Sequence, residues 1–238
     1  MAKLDISPEI LDALQKLSSL LEGENAFERT LSTVVDLSVS TLSGCDSAGV
    51  TIRVNGKNTT AASSDGYTLE LDKIQYDSDQ GPCLETIDVG EPHYIDSITE
   101  DSRWPEFRER ASAEGLRSSA SFPLRMNGSV GALNVYSRTE NAFDEPARRI
   151  GEIFARQASI ALNNAHIYDA AQLLGEQLNE AVKTRDLIGQ AKGILMEREG
   201  ISDAQAFDML RMSSQNTNVK LRDIAKRVVE EKARATNH

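Results

Sequence analysis

The chain holds 238 residues, 39% hydrophobic and 26% charged, a globular composition that excludes a collagen-like, disulfide-scaffold or low-complexity protein. No uninterrupted apolar run exceeds four residues even when glycine is counted, so no segment can span a membrane as a helix. The net charge of −11 is uneven: residues 183–238 hold 11 Lys/Arg against 8 Asp/Glu, and residues 1–182 hold 15 against 29. An acidic body thus precedes a mildly basic tail. The first twenty residues lack the basic start and apolar core of a secretory signal. Two cysteines, Cys45 and Cys83, argue against a disulfide framework and for the cytoplasm.

Ser7-Pro8-Glu9 reads as a helix start, followed by Ile10, Leu11, Leu14, Leu17 and Leu21 at helical spacing and stopped by Gly23. Asn25-Ala26-Phe27-Glu28 has the form of a capping box for a second helix that runs to Gly44. The β-branched stretch 48–54, then Asn55-Gly56, then 59–63 predicts a hairpin. Residues 65–80 are polar and are expected to form a weak strand and a loop. Gly81-Pro82 breaks that stretch, and residues 83–89 predict a short helix. His93-Tyr94-Ile95 predicts a short strand, and Trp104-Pro105-Glu106 opens a helix that Gly115 closes. Residues 119–126 and 129–136 flank Asn127-Gly128 as a second hairpin. Runs of strands between flanking helices predict an α+β fold with an antiparallel sheet.

A long helix begins near Phe143-Asp144-Glu145-Pro146 and is expected to reach about residue 182. Along it Ile160, Asn164, Ile167, Ala171, Leu174, Leu178 and Ala181 repeat at alternating four and three, the seam of a coiled coil, with Asn164 placed to fix register. Such a stripe either packs on the protein's own sheet or pairs between chains. Its length favours pairing, hence a homodimer. Beyond it, Thr184 is expected to cap a helix that Gly200 ends, Ser202-Asp203 to cap a second, and Asn216-Thr217-Asn218 to turn into a third carried by Leu221, Ile224, Ala225 and Val228. This small three-helix bundle offers little core of its own.

Three blocks of the tail carry a resemblance. Arg185-x-x-Ile188-x-Gln190-Ala191-Lys192-Gly193-Ile194-Leu195-Met196, Ala206-Phe207-x-x-Leu210-Arg211-x-x-Ser214 and Asn218-x-x-Leu221-x-Asp223-x-Ala225 resemble the ANTAR domain, an RNA-binding module of bacterial transcription antitermination regulators. Upstream, the element order, Asp79-Gln80-Gly81-Pro82-Cys83, Phe122-Pro123-Leu124 and Gly131-Ala132-Leu133-Asn134-Val135 resemble a GAF domain of the kind that precedes ANTAR domains in actinobacteria. The resemblance implies an N-terminal helix (1–24), a GAF-like sensor (25–165), a coiled-coil linker (166–177) and an ANTAR domain (178–238). It also implies that a signal-responsive regulator grips paired short RNA hairpins to control transcription termination. The GAF domain would take a small-molecule ligand. A helix-turn-helix binding DNA, and a GAF-type free methionine sulfoxide reductase, are the alternatives.

RNA loops are read by stacking and by hydrogen bonds to exposed base edges. Phe207 is the sole aromatic residue of the tail and lies on its apolar stripe, so contact falls to Arg185, Gln190, Lys192, Arg198, Arg211, Ser214, Asn216, Asn218, Lys220 and Arg222, with most weight on Arg185, Lys192 and Arg211. Gly193 costs about 1 kcal/mol inside a helix and points to a close approach, of another helix more than of a phosphate. Tyr76, Cys83, Tyr94 and Trp104, with Tyr67, are the candidate lining of a ligand pocket. Cys83 at a helix start invites a lowered thiol pKa, but Cys45 offers no paired redox motif. His93, His166 and His238 show no metal-ligand spacing. No catalytic constellation is present, no metal is expected, and the sequence names no cofactor.

Overall fold

The computed structural model describes residues 8–19, 25–126 and 129–236. The roles assigned above to Ser7, Leu21, Gly23, Asn127-Gly128 and His238 lie outside the described residues. The chain divides into two compact units that meet between Ala170 and Ala171.

The first unit runs α1 (Pro8–Ser19), α2 (Ala26–Thr41), β1 (Ser47–Val54), β2 (Lys57–Ser63), α3 (Gly66–Ser78), α4 (Pro82–Val89), β3 (His93–Ile95), α5 (Pro105–Ala113), β4 (Ser118–Met126) and β5 (Ser129–Ser137), then the start of α6 (Glu145–Glu199). The strands form one sheet in the order β2-β1-β5-β4-β3, antiparallel throughout. The fold is α+β, as the sequence predicts. Asn55 and Gly56 take φ values of 51° and 78°, the two positive angles of a type I′ hairpin. Both faces of the sheet are covered. On β5, Leu133 and Val135 face a cluster with Leu17 of α1, Val34 and Val35 of α2, and Phe154 and Leu162 of α6. Tyr136 and Ala132 alternate with them and join Leu71 of α3, Phe107 of α5 and Cys83 of α4 on the other side, as a period of two requires.

Residues 65–80 depart from expectation: they form helix α3 rather than a weak strand and loop. The Asp65 side chain caps it, accepting from Thr68 N at 2.9 Å. Its buried face is Thr68, Leu71, Asp72, Ile74 and Gln75. Three of those five are polar, so the helical period exists in burial but not in hydropathy. The capping box at Asn25 is also absent. Asn25 sits at φ 56° and makes no side-chain cap. Asp169 on α6 does this work, accepting from Ala26 N at 3.0 Å and Phe27 N at 2.9 Å, a carboxylate against the positive end of a helix. Thr184 opens no new helix, because α6 continues unbroken to Glu199.

The second unit packs the end of α6 with α7 (Asp203–Thr217) and α8 (Leu221–Thr236) around Ala191, Leu195, Ala206, Leu210, Ile224 and Ala225. Gly200 ends α6 at φ 65°. Ser202 and Gln205 form a reciprocal capping box on α7, and Asn218 closes that helix in the left-handed region at φ 53°.

Candidate functional site

On α6, Ala191 and Leu195 are buried in the core of the second unit, which turns the row Thr184, Ile188 and Lys192, one turn apart, toward α7. With Arg185, Gln190 and Phe207 this row lines an open groove of about 950 Å³. Lys192 Nζ lies 2.5 Å from Asp203 Oδ1, and Arg211 pairs with Asp208 at 3.1 Å. Arg198 pairs with its neighbour Glu199, and Arg222 with Glu180 at 2.5 Å. Among the described residues Arg185 and Lys220 make no ion pair. Of the expected RNA contacts, the structure gathers Arg185, Gln190 and Lys192 in one groove. Arg211 sits one turn beyond Phe207 along α7. Arg198, Ser214, Asn218 and Lys220 are not in the lining. Ser214 Oγ donates to Val219 O at 2.6 Å, which fixes the α7–α8 turn, and Asn218 is where the chain needs a positive φ. Asn216 is exposed.

Two expectations about this unit are corrected. Gly193 meets no close approach: nothing lies within 4 Å of where its Cβ would be. Phe207 is not core. It is 39% exposed and lines the groove. Its place in the apolar stripe hid this, since Ala206 and Leu210, not Phe207, carry the buried face of α7.

The seam residues Ile160, Ile167, Leu174 and Leu178 are each more than half exposed, and Asn164 and Ala171 are exposed with them. The face of α6 that packs on the sheet is a different one: Phe154, Ala155, Ala158, Ala161 and Leu162.

In the first unit, the space between β1, β5, α3 and α4 is filled by polar side chains. Asp72 is fully buried and accepts from Tyr136 OH at 2.5 Å, from Thr60 Oγ1 at 2.8 Å and from Asn134 Nδ2 at 3.4 Å. Burial raises its pKa from 3.8 to about 6, opposed by those three donors. Asn134 Nδ2 also reaches Cys83 Sγ at 3.1 Å and Thr51 Oγ1 at 3.1 Å, and Thr51 bonds Tyr76 OH at 2.8 Å. Gln75 donates to Tyr136 OH at 3.0 Å and accepts from Cys83 N at 2.8 Å. Burial, then the Asp72 charge, pushes the Cys83 thiol up to about 12. The expectation of a lowered thiol pKa is overturned: desolvation outweighs the dipole of a helix only eight residues long.

The four expected pocket residues do not share a cavity. Tyr76 and Cys83 belong to the polar network. Tyr94 lies on the opposite face of the sheet, edge-on to Phe122, with its hydroxyl donating to Glu152 at 3.1 Å. Trp104 packs with Leu71, Ile98 and Phe107, and its Nε1 donates to Glu85 at 3.0 Å. Tyr67 has a buried hydroxyl without a hydrogen-bond partner. His93 bonds Thr86, and His166 stands edge-on to Phe27. Among the described residues no three His, Cys, Asp or Glu side chains could hold a metal, and no helix is long and apolar enough to cross a membrane.

Comparison with known proteins agrees with this division. The GAF domain model matches residues 24–163 and the ANTAR domain model residues 176–229. No curated protein matches the chain. Among solved structures, the chain is similar to the GAF domain from a phosphoenolpyruvate-protein phosphotransferase of Coxiella burnetii. Identity is 17% over 69% of this chain and 99% of that one, with a TM-score of 0.51. It is also similar to the free methionine-R-sulfoxide reductase from Neisseria meningitidis, at 14% identity over 66% of this chain and 90% of that one, again with a TM-score of 0.51. At such identities the likeness is one of fold. A GAF domain followed by an ANTAR domain is the arrangement of a signal-responsive regulator. A sheet enclosed by helices on both faces, followed by a small helical unit whose three motif blocks keep their order, leads to one assignment: the chain belongs to the GAF-domain family and carries an ANTAR domain behind its GAF domain.

Proposed function

We propose that this protein binds paired short RNA hairpins through its ANTAR domain and thereby controls transcription termination, with the GAF domain as sensor and α6 as transmitter. The observation that carries this reading is the groove beside Arg185, Gln190 and Lys192 inside the ANTAR match. Three motif residues of α6 that stand outside the core of the unit line it. The basic excess of residues 183–238 against the acidic remainder supports the tail as the polyanion-binding part. The division at 1–24, 25–165, 166–177 and 178–238, action in the cytoplasm, and a small ligand for the GAF domain belong to the same proposal. So does a homodimer through Ile160, Asn164, Ile167, Ala171, Leu174 and Leu178, because these side chains are exposed rather than spent on the sheet. The reductase alternative finds no support: Cys83 is fully buried, and burial pushes the Cys45 thiol up to about 12 as well.

The test is a titration of the whole protein with a hairpin pair against duplex DNA of equal length. Binding to hairpin RNA should resist the duplex competitor and fall steeply with salt, since each neutralised phosphate releases counterions. Full competition by duplex DNA would turn the reading toward a DNA-binding regulator.

A further inference from the structure

We propose that Phe207 is the stacking platform for one unpaired base of the bound RNA, and that the groove of α6 and α7 is the slot for that base. The inference rests on the RNA-binding reading above and adds to it a residue and a mode of contact. Phe207 stands outside the core of Ala191, Leu195, Ala206, Leu210, Ile224 and Ala225, and it is 39% exposed. About two-fifths of its surface thus stays in water and gains nothing from burial. Its surroundings are chemically specific. Asp203, Phe207 and Arg211 lie one turn apart on one edge of α7. Lys192 reaches Asp203, so a cation stands on either side of the ring along that edge. Thr184 and Gln190 in the groove supply a hydroxyl and an amide, the groups that read base edges.

The charge of the groove decides what fills it. Glu180 and Asp186 line it together with Arg185 and Lys192, two acids against two bases. A slot with no net charge does not attract a phosphate by its field. A planar, neutral, hydrogen-bonding ring suits it, with the phosphates left to the cations beside the ring, Lys192, Arg185 and Arg211. Every base has a π-face, so such a platform is tolerant of sequence, and specificity falls to the amide and hydroxyl beside it.

The experiment uses the full chain and a hairpin pair carrying 5-iodouridine at each loop position in turn. Ultraviolet irradiation should crosslink one position to Phe207, as identified by peptide mass spectrometry. Phe207→Leu should weaken binding by about 5- to 160-fold, the range for loss of one stacked base, with an unchanged salt slope. Phe207→Tyr should bind like the wild type. Lys192→Ala, by contrast, should lower the salt slope by about one. Wild-type affinity in Phe207→Leu, with Lys192→Ala weakened, would overturn the platform and leave RNA binding standing. Crosslinks only to other residues would do the same, whether or not Phe207→Leu folds. If Phe207→Leu alters sedimentation but not RNA affinity, the ring is a protein contact and the proposal is wrong. If no hairpin binds the wild type at all, the RNA reading fails and takes this inference with it.

Discussion

Replacing Gly151 by alanine would set a methyl carbon 2.2 Å from Cζ of Phe122 and 2.7–2.8 Å from the two ring carbons beside it. Favourable carbon–carbon contact begins near ~3.5 Å, so the ring or the helix has to move. Phe122 cannot yield easily: it is buried in the cluster of Phe154, Ala155 and Leu162 and has Tyr94 edge-on at 6.0 Å. Overpacking of this kind costs about 1–3 kcal/mol, and a clash this deep with a buried ring belongs at the upper end. Alanine returns about 1 kcal/mol of helix propensity. The net expectation is a loss of about 2 kcal/mol, or roughly 4–8 °C in a protein of this size. Gly193→Ala in the same helix meets nothing within 4 Å and should instead stabilise by about 1 kcal/mol. The assay is urea and thermal unfolding of the whole chain with two probes. Trp104, the only tryptophan, reports the first unit, and far-ultraviolet circular dichroism weights the helices. Gly151→Ala should shift the Trp104 transition and Gly193→Ala should not. Adding Phe122→Leu should recover part of the Gly151→Ala loss, a coupling expected only of residues in contact. Gly151→Ala as stable as the wild type would refute the seating of α6 on the sheet described here.

Four further outcomes are expected. Asp72 has its pKa raised to about 6 from 3.8, so the folded state holds a proton that the unfolded state releases first. The stability this proton gives is present below about pH 4 and lost as pH rises through 6. The move from 3.8 to about 6 is worth roughly 3 kcal/mol, and Asp72→Asn should flatten that slope in urea titrations from pH 4 to 7. Leu174→Asp with Leu178→Asp should give monomers in light scattering with an unchanged Trp104 spectrum; a wild type already monomeric at micromolar concentration would end the dimer proposal. The Cys83 thiol should resist iodoacetamide in the folded protein at pH 8 and react in urea, and rapid native alkylation would contradict both its burial and its raised pKa. Lys192→Ala and Arg211→Ala should each weaken hairpin binding by about 1–3 kcal/mol without unfolding, and unchanged affinity of both in a titration with folded protein would remove them from the interface.

Much of this architecture is local and therefore legible in the residue order. Asn55-Gly56 can hardly be anything but a tight hairpin, because both angles are positive there. Gly200, Ser202 and Gln205 mark the break between α6 and α7 by their own backbone needs. The motif blocks of the tail announce its family without any geometry. The four-and-three spacing of Ile160 to Leu178 is visible as a pattern, though its exposure is not. What the residue order concealed is what depends on partners distant in sequence. Helix α3 hides because three of its five buried residues are Thr68, Asp72 and Gln75, polar groups tolerable inside only where Ala48 O, Tyr136, Asn134 and Cys83 N meet them. Asn25 looks like a cap, yet the carboxylate that performs the capping is Asp169, 143 residues away from Ala26. Tyr76 and Tyr94 look like lining of one pocket, yet Tyr76 stands on helix α3 against one face of the sheet and Tyr94 on β3 points to the other. Phe207 looks like core because it is aromatic and sits beside apolar neighbours. Tertiary packing decided otherwise: Ala206 and Leu210 already fill the contact with α6 and α8, and the helical rotation of about 100° per residue carries the next side chain out of that contact and into the groove.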